Sequence, residues 1–331
     1  MKRLLLPAFL TTAVGAVGVI EMICGESALG REKLERVLAS ESDDAVLPLN
    51  STGVWIDPIS AYLVGLAVAL TLLGHVDEGV ARLQRAGARA RSLGHALSQA
   101  TVDACSVLIH WLRRDEAGYL AALQALVRDA TALGGFGPVI HMAGAQTIVD
   151  AIVSPGVESA LELLREIEMR EAHGQHFCMP FLRCIAAERL ADAGQYPVAI
   201  AALDAAIVKI EGNGERFVES EIHRLRGELL WRSADAIAAP RRRKSEDRAQ
   251  VLPAAALVAA EAALRRALDV ARAQRVRISE LGAAVALGRF LDAHGREGEA
   301  RAELAELCAW FPAGTDFHDL QAARELLAGY G

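Results

Sequence analysis

Residues 280–311 read ELGAAVALGRFLDAHGREGEARAELAELCAWF, two amphipathic helical patterns separated by a glycine turn. In the first half Leu287, Gly288 and Leu291 fall on one helical face, and after Gly295 the residues Ala300, Leu304 and Leu307 do the same at spacings of four and three. Gly288 has no side chain and so admits a second helix at close range. A lone hairpin of this kind cannot bury its apolar face, so copies of it must stack together.

Copies are found along the chain. The clearest is GQYPVAIAALDAAI, with Gly194, Tyr196, Ala199, Leu203 and Ala206 in the corresponding places. Upstream, AYLVGLAVALTLLG turns at Gly74 and continues with Gly79, Leu83 and Ala86. Tyr119, Leu123 and Leu126 follow a turn near Asp115, and Ala160, Leu164 and Ile167 follow Pro155 and Gly156. ESEIHRLRGELLWR supplies Gly227 as a small position, and Ala260, Leu264 and Ala267 resume the pattern after AIAAPRRRKSEDRAQVLP, a charged, proline-flanked stretch that reads as a mobile loop at about 234–253. A small residue, a turn glycine, then small and large apolar residues is the tetratricopeptide signature, here at a period of roughly 40 residues rather than about 34. The expected fold is all-α: a tetratricopeptide-like helical-repeat solenoid of about seven helix hairpins forming one domain over 1–331. A first repeat, complete or partial, covers 1–40, a connector 41–57, further repeats 58–311 and a C-terminal capping helix 312–331, starting at Thr315 or Asp316.

Composition agrees with that class. The chain is 53% hydrophobic but only 5% aromatic, and few segments alternate as strands do. A net charge of -7 and a pI near 5.8 give no overall attraction to nucleic acid or to an anionic membrane surface. Five cysteines without a CxxC pair suit reduced thiols in a cytoplasmic protein. The segment Met1–Cys24 leaves two readings open. Lys2, Arg3 and the uncharged run LLLPAFLTTAVGAVGVI outline a signal peptide or membrane anchor, which would make the protein exported or membrane-tethered through residues 1–24. Counting back from Gly30, Leu34 and Val37, however, puts the turn on Gly25 and the small position on Gly18, Glu21 breaks the apolar run, and the segment is short for a span. That register favours Thr12–Ile23 as a repeat helix. Asp57 and Pro58 read as the N-cap and first residue of the next helix.

From Ile222 to Leu327, HRLRGELLW, then AALRRALDVARAQRVRISELGAAVALGRFLDAHGREGEARAEL, then WF and DL closely resemble the tetratricopeptide tail of large bacterial signalling proteins. In that family an AAA-type ATPase precedes the repeats, and the output is often a nucleotide cyclase or a DNA-binding transcription-regulator domain. The likeness fades toward the N-terminus, through LLGHVDEGVARLQRA and WIDP, and PAGTDFHDL departs from the glycine-phenylalanine-aspartate run that tends to follow WF in family tails. What it implies is the repeat tail alone. No GxxxxGK[ST] loop is present, and none of Lys2, Lys33, Lys209 and Lys244 follows a glycine-rich loop able to cradle phosphate. GxSxG and HExxH are absent too. The chain is therefore expected to be non-enzymatic, without catalytic residues, cofactor or bound metal.

His173, His176 and Cys178 in HGQHFC are ligand types for zinc, but a fourth ligand is missing and a solvated turn is the simpler reading. His110 and His223 fall on packed helix positions and read as hydrogen-bonded core histidines. The run Arg241–Lys244 is followed at once by Glu246 and Asp247, so it reads as a solvated loop and no direct nucleic-acid contact is expected. In tetratricopeptide arrays the first helix of each hairpin lines the concave face. Register places Val64, Val68, Leu108, Trp111, Val149 and Ile152 there in the early repeats, and Glu188, Asp192, Glu221, Arg224, Glu228, Trp231, Arg232, Arg289 and Asp292 in the later ones. The charged later set is the candidate surface for a protein or peptide partner, or for a small effector.

Overall fold

The computed structural model describes residues 2–40, 56–132, 156–241 and 251–330, and every regular element among them is an α-helix. The chain divides into two compact units, Met1–Gln146 with Gln274–Ile278, and Thr147–Ala273 with Ser279–Gly331.

The first unit holds α1 (Lys2–Ile23), α2 (Ser27–Ser40), α3 (Pro58–Leu72), α4 (Val76–Ser92), α5 (Ala96–Leu112) and α6 (Glu116–Ala132). Short turns reverse the chain within three pairs, α1 with α2, α3 with α4 and α5 with α6. Helix α3 is apolar all round because it also touches α1, α2 and α5, and a helix surrounded on every side has no face left for polar residues. It begins as expected: Pro58 is its first residue, and the Ser60 N–H donates to Asp57 Oδ2 at 2.8 Å. The same carboxylate takes Arg89 Nε at 2.7 Å and Nη2 at 3.0 Å, while the Asp57 N–H donates to Ser98 Oγ at 2.9 Å. One buried aspartate thus joins the start of α3 to α4 and α5. Burial opposes its charge, but the bonds from Arg89 and Ser60 outweigh that and hold the carboxyl below the usual range.

Helix α1 packs in the register counted back from Gly30. A Cβ on Gly30 would stand 2.6 Å from the carbonyl oxygen of Gly18, so the two backbones touch. Tyr62 lies against Gly15 and donates its hydroxyl to the Thr12 carbonyl at 3.0 Å. Glu21, which interrupts the apolar run, is bonded by Lys33 Nζ at 2.6 and 2.7 Å. Leu34 and Val37 join Tyr62, Leu66 and Leu70 in one core. Among the described residues no helix is long and apolar enough to cross a membrane.

The second unit holds α7 (Val157–Ala172), α8 (Met179–Asp192), α9 (Tyr196–Asn213), α10 (Glu219–Arg241), α11 (Val251–Gln274), α12 (Arg277–Asp292), α13 (Glu297–Trp310) and α14 (His318–Gly329), except that Gln274 of α11 and Arg277 and Ile278 of α12 belong to the first. Ala199, Leu203 and Ala206 of α9 are buried, as are Ala260, Leu264 and Ala267 of α11 and Ala300, Leu304 and Leu307 of α13. Gly227 meets α11 closely, a Cβ there falling 2.7 Å from Leu264 Cγ and 3.0 Å from the Ala260 oxygen. Gly288 meets α13 in the same way, at 3.2 Å from Leu304 Cδ1 and 3.5 Å from Ala300 Cβ. Gly194 and Gly295 close their hairpins with φ of 75° and 70°, the left-handed region in which a side chain is strained.

One packing position and two boundaries differ from expectation. In α7 the buried stripe runs Ala160, Leu163, Ile167 and Arg170, so Leu163 and not Leu164 faces inward. A 3.6-residue turn permits steps of three or four, and adjacent leucines leave the choice to the packing. The loop expected at about 234–253 is shorter, since α10 continues to Arg241 over alanine-rich sequence and α11 begins at Val251. The rest of that expectation, 242–250, lies outside the described residues, as does most of the connector. The terminal helix starts after Phe317, not Thr315 or Asp316, because Phe317 is drawn into the interior against Phe311, ring centroids 5.3 Å apart.

Candidate functional site

Three of the predicted groove residues share one face of α10. Steps of three and four put Glu221, Arg224 and Glu228 in line, and the guanidinium bonds both acids, Nε to Glu221 Oε2 and Nη1 to Glu228 Oε2, each at 2.8 Å. Glu228 is half-buried, but the other two are not open to a partner. Arg224 is 6% exposed and Glu221 3%, because Gly282 of α12 and Asp319 in the first turn of α14 close over them. A Cβ on Gly282 would lie 2.9 Å from Asp319 Oδ2 and 3.7 Å from both Arg224 Cδ and Glu221 Oε1. Burial disfavours the Arg224 cation, but Glu228, Glu221 and Asp319 outweigh it and raise its pKa well above the ordinary value. Register placed these residues on an open concave face; the structure instead makes Arg224 and Glu221 part of a buried ion cluster shared by α10 and α14.

Farther along α10, Trp231 is half-buried and packs edge-on against Phe290 of α12, centroids 5.4 Å apart, with His294 stacked on Phe290 at 4.4 Å. Arg232 is exposed and lies over the Tyr196 ring at 5.5 Å. Glu188 is half-buried on α8, and Asp192 at the end of that helix is exposed, 3.6 Å from Arg189. Arg289 and Asp292 lie elsewhere, in the last turn of α12, where they line a cavity of about 250 Å³. Its other wall is the end of α14: Ala322, Glu325, Leu326, Gly329 and Tyr330. Sequence reading missed that wall because it treated α14 as a cap alone. The signal was available in Ala322, Leu326 and Tyr330, a row at steps of four on a helix with polar neighbours.

The early apolar candidates Val64, Val68, Leu108 and Trp111 are buried within their own unit, and Val149 and Ile152 lie outside the described residues. His173 Nδ1 is engaged with the Met169 carbonyl at 2.6 Å and His176 is exposed, while the Cys178 N–H donates to buried Glu215 at 2.7 Å. Among the described residues no group of three or more acidic, histidine or cysteine side chains is arranged to hold a metal ion. His110 Nδ1 faces Asp115 Oδ2 at 2.8 Å, and burial together with Arg266 and Arg226 pushes His223 down to about 4, keeping it neutral. The cysteines are all free thiols, Cys184 buried and Cys24 exposed. Arg241 ends α10, and Arg242, Arg243 and Lys244 lie outside the described residues. No protein-family model matches the chain, and no curated protein matches it.

Proposed function

We propose that this chain is a non-catalytic scaffold or sensor of the tetratricopeptide-like solenoid type, cytoplasmic and acting in bacterial signalling or transcriptional regulation. It takes a protein, peptide or small effector on the inner surface of its later hairpins. The observation that carries this reading is the recurrence of one packing unit: Gly227 against Ala260 and Leu264, then Gly288 against Ala300 and Leu304, with charged cavity walls at Arg289 and Asp292 beyond it. Burial of Arg224 and Glu221 moves the favoured docking residues to Arg232, Arg289 and Asp292, which are exposed. Binding of peptides from an array to the purified chain, repeated with Arg232→Ala and with Arg289→Ala, tests it. Capture weakened by either substitution is expected; capture indifferent to both, or copurifying ATP turnover that survives stringent controls, would remove the reading.

A second reading rests on the resemblance of Ile222–Leu327 to signalling-ATPase tails. In it the chain is the regulatory tail of a larger ATPase or nucleotide cyclase whose catalytic modules are encoded upstream. An in-frame P-loop in the genomic DNA before Met1 would establish it, and stop codons close upstream would remove it.

A further inference from the structure

The cavity between the ends of α12 and α14 carries an unusual balance of charge. Arg289, Asp292 and Glu325 all line it, all are exposed, and none is bonded to another side chain among the described residues. Arg289 and Asp292 are three apart on one helix, a spacing at which a cation and an anion can pair, yet they do not. The apolar part of the wall is Ala322, which is buried, and Leu326, whose Cδ1 packs 3.7 Å from a Cβ position on Gly288. The C-terminal edge is held in place, since Arg301 Nη1 donates to the Tyr330 carbonyl at 3.1 Å.

One cation beside two anions in the same cavity is matched by a ligand with one carboxylate and two cationic groups. We propose, on the basis of the sensor reading above, that this cavity binds a free basic α-amino acid of the lysine or arginine type. Its carboxylate takes Arg289, its two cationic groups take Asp292 and Glu325, and its methylene stem lies along Ala322 and Leu326. A volume of about 250 Å³ is below that of drug-sized pockets and suits a molecule of one amino acid.

Titration calorimetry and thermal shift with L-lysine, cadaverine and norleucine separate the contacts, because cadaverine lacks the carboxylate and norleucine the side-chain amine. L-Lysine is expected to bind saturably, with the two others weaker by about tenfold to a hundredfold. Arg289→Ala should reduce L-lysine to the level of cadaverine, and Asp292→Asn with Glu325→Gln should reduce it to that of norleucine or below. No saturable heat or shift up to about 10 mM L-lysine, or unchanged binding by Arg289→Ala, would overturn the proposal. So would cadaverine or norleucine binding as tightly as L-lysine. Peptide capture by the same preparation in the absence of any lysine response would remove this ligand and leave the scaffold reading standing.

Discussion

At the scale of single residues, two arginines that register treats alike behave as opposites. Arg224 is enclosed with Glu221, Glu228 and Asp319, whereas Arg289 stands exposed at the rim of a cavity. Removing one partner of a buried ion cluster leaves the others charged and unpaired, so Arg224→Ala should cost about 3–5 kcal/mol in urea denaturation. Arg289→Ala should stay within about 0.5 kcal/mol, and equal stability of the two variants would show that Arg224 is not enclosed. The spacing of Glu221, Arg224 and Glu228 was legible in the sequence; their burial was not, because it depends on Asp319 in a helix far downstream. Buried Glu215 and half-buried His223 should make stability depend on pH in opposite senses. Burial raises Glu215 to about 7 from 4.5, against the Cys178 N–H bond that lowers it, so the folded chain binds its proton more tightly. Its contribution is full below about pH 4.5 and is lost as pH rises through about 7. His223, depressed from 6.5 to about 4, contributes fully above about pH 6.5 and loses that contribution as pH falls through about 4. Glu215→Gln should therefore flatten the decline in urea midpoint between pH 5 and 8. An unchanged profile would mean that Glu215 does not titrate in this window.

At the scale of elements, the sequence located helices better than it located their ends. The turns at Gly25, Gly74, Gly194 and Gly295 all carry positive φ, and the small-to-large contacts at Gly18, Gly227 and Gly288 are present. What escaped was decided by competition between neighbours: Leu163 against Leu164, and the cap at Phe317, where burying an aromatic ring overrode the polar start offered by Thr315 and Asp316. Glycines in helices give a direct check of the contacts. Gly227→Ala brings a methyl to 2.7 Å from Leu264 and should destabilise by about 1–3 kcal/mol. Gly212→Ala, in α9 with nothing within 4 Å, should stabilise by about 0.5–1 kcal/mol. Chemical denaturation of both variants decides it: a Gly227→Ala variant as stable as the parent, or more so, would mean that α10 and α11 are not in close contact at Gly227.

At the scale of the whole molecule, periodicity announced an all-helical chain of recurring hairpins, while nothing in it said what the chain binds. Buried apolar positions recur because every hairpin solves the same packing problem, whereas binding residues are set once, by a particular ligand, and leave no period to read. The N-terminal hairpin shows the packing logic most plainly. Deleting residues 1–24 removes the Gly18 contact, the Thr12–Tyr62 bond and the cover that Val14 and Val19 give to the core of Leu34 and Val37. Apolar area on that core returns to water, so the truncated chain should melt measurably earlier, and a melting curve equal to the full chain's would show α1 to be dispensable. The pairing of sequence neighbours also sets a clock. Helices α1 with α2, α3 with α4, α5 with α6 and α8 with α9 meet across turns of only a few residues, so little chain must be searched before a stabilising contact forms. Collapse after dilution from denaturant should accordingly begin within about a millisecond, with each hairpin closing before distant partners find one another. A first phase lasting seconds would mean that the earliest helices wait for contacts made elsewhere in the chain.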